Sequence, residues 1–68
     1  MILKGISKKG KERIKRDGSE WVTVRTSDRV LFSPKKGPWL FIIPPNGDQM
    51  ASRWIHATDD ENFKIVED

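Results

Sequence analysis

Trp39-Leu40-Phe41-Ile42-Ile43 is the longest run of large apolar residues in the chain, bounded by Gly37-Pro38 and by Pro44-Pro45. Proline has no amide proton to give to a helix interior, so the run is closed to helix at both ends. Its aromatic and β-branched residues suit a pleated strand. A short, unbroken apolar run between turn residues predicts a strand buried on both faces, and the rest of the chain is read outward from it.

Upstream, Met1 to Ile6 reads as a short strand or an extended lead-in. Ser7 is a favoured helix N-cap, and Lys8 to Asp17 holds good helix formers. Gly18 suits the residue just past the helix end. Gly10 costs about 1 kcal/mol against Ala in a helix interior, so its presence predicts close approach to the sheet. Only Ile14 offers a true apolar anchor on this helix, which leaves a broad cationic surface.

Strands are predicted over Glu20–Arg25 and Arg29–Ser33, with turns at Thr26–Asp28 and Pro34–Gly37. Asn46-Gly47 predicts a two-residue type I′ hairpin loop. That register sets Ile43 opposite Met50, Phe41 opposite Ser52 and Trp39 opposite Trp54, unless Pro44 and Pro45 lengthen the loop. The returning strand covers about residues 50–57, an acidic loop follows at 58–62, and Phe63–Glu67 forms the last strand.

The 68 residues make one domain, residues 1–68, with no repeat or linker. A chain this short buries roughly 60% of its unfolded surface, so its three Trp and three Phe must carry much of the core. The chain has no cysteine, which excludes disulfides and a thiolate zinc site. That composition fits a reducing compartment, and cytoplasmic is the expected location. No segment approaches the roughly 20 apolar residues of a membrane span, and no apolar signal region follows the N-terminal cations.

Short turns favour antiparallel neighbours, and a twisted meander of four or five short strands tends to curl. The expected class is mainly β with one helix (α+β). Its architecture resembles the SH3-like small barrels, with a basic helix inserted after the first strand. The likeness is architectural, since no peptide-binding SH3 signature is present. The basic helix leading into Gly18-Ser19-Glu20-Trp21-Val22-Thr23-Val24 is also similar to the starts of small uncharacterised phage or prophage proteins, a likeness that assigns no residue roles.

Charge is the sharpest functional signal. The formal net charge is +3, but residues 1–36 hold eleven Lys/Arg against four Asp/Glu, while residues 37–68 hold two against six. Lys8, Lys9, Lys11, Arg13, Lys15 and Arg16 place six cations within nine residues, which suits phosphate contact. Lys35 and Lys36 can extend that patch, as can Arg25 and Arg29. About five such contacts to duplex would give a log–log salt slope of about −4.5. The bland alternative is a solvated helix. Trp54, flanked by Arg53 and His56, is the candidate for an exposed ring that stacks on bases.

Enzyme chemistry is not expected. His56 with Asp59 and Asp60 matches no standard ligand spacing, and a strand-end His on a polar face is the simpler expectation. None of the five serines sits in a nucleophile elbow, and no phosphate loop or EF-hand spacing is present. The expected function is a non-enzymatic, metal-free and cofactor-free module that binds DNA or RNA backbone through the basic helix. The alternative is a protein–protein module, a small regulator or inhibitor of a larger complex, docking on an acidic protein surface or through a sheet edge. No membrane partner is expected.

Overall fold

Ser7 caps the helix α1 (Lys8–Asp17), its hydroxyl accepting from the Gly10 amide at 3.0 Å. The same hydroxyl donates to the Asn62 side chain at 2.6 Å, so the cap also ties the helix start to a distant loop. Gly18, at φ 91°, ends the helix and donates its N–H to the Ile14 carbonyl at 2.8 Å. A side chain is strained at that φ, so glycine fits there. The computed structural model describes residues 1–67.

The strands are β1 (Ile2–Gly5), β2 (Val22–Arg29), β3 (Lys36–Ile43), β4 (Arg53–His56) and β5 (Phe63–Glu67). They form two antiparallel sheets, one of order β1-β5 and one of order β2-β3-β4. The fold is therefore mainly β with one helix, and the N-terminal residues do form a strand. The segment 19–21 links the sheets: Ile2 bridges Glu20, the Leu3 amide donates to Ser19, and the Trp21 amide donates to Met1. The hydrogen bonding does not run on into one closed sheet among the described residues. No helix among them is long and apolar enough to cross a membrane.

The core lies between these sheets. Leu3, Trp21, Ile42, Ala51, Ile55 and Phe63 fill it, with Ile14, Leu40 and Ile65 packed at its margin. Trp21 is fully buried, and its indole N–H donates to the Gly18 carbonyl at 2.8 Å. Removing a ring of this kind costs about 3–5 kcal/mol. That is a large share of the stability such a small domain holds.

α1 packs on β1 where two glycines meet. A Cβ on Gly10 would lie 3.3 Å from the Gly5 Cα and 2.9 Å from the Asn62 carbonyl carbon. The helix-interior cost of Gly10 is thus offset by a close backbone approach to β1 and the loop before β5.

Three local expectations are corrected. First, Thr26–Asp28 is not a turn and Arg29–Ser33 is not a strand. β2 continues to Arg29, with register shifts around Val24 and Asp28, and the turn lies at Val30–Ser33, closed by the Ser33 amide donating to Val30 at 3.2 Å. The residues that lead from this turn into β3 are held by distant rings. Trp39 donates its indole N–H to the Lys35 carbonyl at 3.0 Å, and His56 Nε2 bonds the Lys36 carbonyl at 2.8 Å.

Second, Asn46-Gly47 is not a type I′ loop, which needs positive φ at both residues, because only Gly47 has it. Pro45 instead occupies the second position of a Pro44–Gly47 turn closed at 3.0 Å, a position that its fixed φ suits. A 3₁₀ turn at Gln49–Ala51 follows, capped by Asp48.

Third, that longer connection moves the register by two residues. Phe41 faces Trp54, Trp39 faces His56, and the strand opposite β3 begins only at Arg53.

Candidate functional site

The sequence of α1 decides which of its cations are available. Gly10 and Asp17 are buried, and Arg13 and Ile14 are half-buried. Lys8, Lys9, Lys11, Glu12, Lys15 and Arg16 are exposed. Asp17 gathers the two arginines. Arg16 donates to its two carboxylate oxygens at 3.2 and 3.1 Å, Arg13 lies 4.0 Å away, and the Asn46 amide approaches to 3.5 Å. The hydrogen bonds from Arg16 hold the Asp17 carboxyl below the usual carboxylate range, against burial, which pushes it up. The same pairing raises Arg16.

The six predicted cations therefore divide. Arg13 and Arg16 are turned toward a buried carboxylate. Lys8, Lys9, Lys11 and Lys15 have no carboxylate within 4.0 Å among the described residues. Among the described residues, the i,i+4 neighbours Lys8 and Glu12, and Glu12 and Arg16, form no ion pair. At about 100° per residue, Lys8, Lys11 and Lys15 follow one line along the exposed face.

Lys35 is committed elsewhere, its ammonium donating to the Asp59 carbonyl at 2.7 Å and lying 3.3 Å from the Asp59 carboxylate. Lys36 is exposed at the start of β3. The acidic loop that holds Lys35 runs on to Asn62, the residue bonded to the helix cap. An acidic segment thus separates Lys35 from the first turn of α1.

Two features of the site were not read in the sequence. One is Arg53. It faces the helix side of β4, its guanidinium carbon 5.4 Å from the centre of the Phe63 ring. It shares an open groove with Lys9, Arg13 and Arg16, in which Glu12 and Glu61 are the anions. Its Nε is buried and has no hydrogen-bond partner among the described residues. The other is the pair Phe41–Trp54 on the opposite face of the sheet. Their ring centroids are 5.3 Å apart, and Arg25 sits 5.4 Å from the Phe41 ring centre. Alternation puts Phe41 and Trp54 on one face in either register, and the longer connection between β3 and β4 sets them directly opposite each other.

Trp54 is the half-buried member of the three tryptophans, while Trp21 and Trp39 are buried. His56 is not on a polar face, as expected from sequence. It is buried, edge-on to Trp39 at 5.1 Å, and its Nδ1 accepts from the Thr58 amide at 3.3 Å. Both ring nitrogens are therefore engaged in structure, which is why the strand end carries histidine. Among the described residues, no three His, Cys, Asp or Glu side chains gather as metal ligands.

The fold and surfaces together define a small α+β chain with a lysine-faced helix and an aromatic pair on the outer face of a three-stranded sheet. No family model, curated protein or solved structure matches this chain.

Proposed function

We propose that this chain is a non-enzymatic binding module that contacts nucleic-acid backbone through α1, carried on an SH3-like arrangement of strands. The strand pairing supports the second part: β1 pairs with β5, the segment 19–21 passes between the sheets, and β2-β3-β4 form a meander. One observation carries the first part. Lys8, Lys9, Lys11 and Lys15 stand on the exposed side of α1 with no carboxylate partner within 4.0 Å among the described residues. Unpaired ammonium groups along a helix suit phosphates without a pocket, and the geometry favours backbone contact with little base selectivity.

The test is the triple substitution Lys8→Glu, Lys11→Glu, Lys15→Glu. The three positions are exposed, so the fold is expected to survive, and circular dichroism checks it. Loss of DNA and RNA binding by the folded variant supports the reading, and unchanged binding contradicts it.

A second reading, docking on a protein partner, is favoured by the turn between β2 and β3. Leu31 is 101% and Phe32 75% exposed there, beside Arg29 and Lys36. Substituting both by Ser and comparing nuclease-treated pull-downs of the wild type and the variant separates the two readings.

A further inference from the structure

The outer face of the three-stranded sheet carries a surface that lysines on a helix do not explain. Phe41 of β3 and Trp54 of β4 are directly paired across the strands, both half-buried, with centroids 5.3 Å apart and planes at 58°. Arg25 of β2, paired with Phe41 on its other side, places its guanidinium 5.4 Å from that ring. A row of planar cation, ring and ring thus crosses all three strands. The core does not require it. Leu40, Ile42 and Ile55 point to the buried side, and Trp39 and His56 on this same face are covered by the turn before β3.

We infer that Arg25, Phe41 and Trp54 form a stacking platform for the bases of single-stranded nucleic acid, an inference that rests on the reading of α1 as a backbone contact. The chemistry selects the occupant. Each base has a π-face, so aromatic rings take any sequence, whereas in a duplex those faces are occupied by neighbouring bases. A guanidinium stacked beside the rings adds attraction to both base and phosphate. β4 is the edge of its sheet, and its successive residues point to opposite faces. Trp54 therefore faces the platform while Arg53 faces the groove it shares with Lys9, Arg13 and Arg16. A flexible strand passing around this edge meets rings on one side and cations on the other, a path that a stiff duplex cannot follow.

The experiment compares a labelled oligothymidylate with a duplex of equal length, using the wild type, Trp54→Phe, Trp54→Leu and Arg25→Gln. Trp54→Phe and Trp54→Leu both cover the sheet, and only the first keeps a ring. Thermal melts confirm that each variant is folded. The expected result is tighter binding of the single strand, about a tenfold loss with Trp54→Leu, and near-wild-type binding with Trp54→Phe. Arg25→Gln is expected to weaken the single strand more than the duplex. Equal loss in Trp54→Leu and Trp54→Phe, or no loss in either, overturns the platform while leaving the helix contact standing. Absence of binding to both nucleic acids by the wild type overturns both readings. A shift of oligomeric state in Trp54→Leu shows that the face is covered by a second copy and likewise overturns the platform.

Discussion

Arg16 bends back onto its own neighbour Asp17, donating to both carboxylate oxygens at 3.2 and 3.1 Å. Consecutive helical residues diverge by about 100°, so this contact holds because the Asp17 side chain is buried and needs a counter-charge. A carboxylate at a helix C-terminus is otherwise unfavourable to the helix dipole. Asp17 lies between the end of α1 and Asn46 in the connection between β3 and β4, so its charge is structural.

Acid titration checks this. The folded-state carboxyl of Asp17 is held below its ordinary value of 3.8, chiefly by hydrogen bonds from Arg16. A depressed pKa contributes stability that is complete above the unfolded value and is lost as pH falls through the folded one. The wild type should therefore lose stability as pH drops below about 3.8. Asp17→Asn should be less stable at pH 7 and show a shallower decline on that acid limb. Urea melts between pH 7 and pH 2 measure it, and parallel curves would remove Asp17 from the account.

Gly10→Ala sets two effects against each other. Alanine gains about 1 kcal/mol of helix propensity. The new methyl meets the Asn62 backbone carbonyl and the Gly5 Cα, neither of which is a flexible side-chain end. Overpacking of this kind costs about 1–3 kcal/mol. The contact outweighs the propensity, and a net loss of about 1 kcal/mol is expected in a denaturant melt. A stabilised variant would show that α1 rides free of β1.

His56→Ala should loosen the turn that precedes β3. The ring bonds the Lys36 carbonyl and the Thr58 amide and packs edge-on against Trp39. Losing two buried hydrogen bonds and a ring contact costs about 2–3 kcal/mol. Trypsin should then cut after Lys35 and Lys36 faster than at the α1 lysines. Uniformly faster cleavage would point to global destabilisation instead.

How much of this was legible in the sequence follows from where the information sits. α1 was readable to the residue, because Ser7 and Gly18 are local signals that the cap geometry uses directly. Gly10 was readable as a close approach for the same reason, although its partner Asn62 was not. The path from β2 into β3 was hidden, because the Lys35 and Lys36 carbonyls that follow the Val30–Ser33 turn are held by the rings of Trp39 and His56. The register of β3 against β4 turned on a contest between Asn46-Gly47 and Pro44-Pro45. Pro45 won, since its fixed φ seats it in the earlier turn. From that one shift comes the direct pairing of Phe41 with Trp54, while Arg53 keeps the face that alternation along β4 gives it, because a two-residue shift leaves the faces unchanged. The availability of the cations was hidden too. The sequence marks Asp17 only as the end of the helix, and burial makes it the group that engages Arg13 and Arg16.

The most direct measurement is the salt dependence of nucleic-acid affinity, by fluorescence anisotropy from about 50 to 200 mM salt. Four available lysines predict a log–log slope of about −3.6 on duplex and about −2.8 on a single strand. The Lys8→Glu, Lys11→Glu, Lys15→Glu variant should lose most of that slope together with the affinity. Salt-dependent binding with these slopes supports α1 as the backbone contact. No binding at the lowest salt, or binding whose slope the triple variant leaves unchanged, would contradict it.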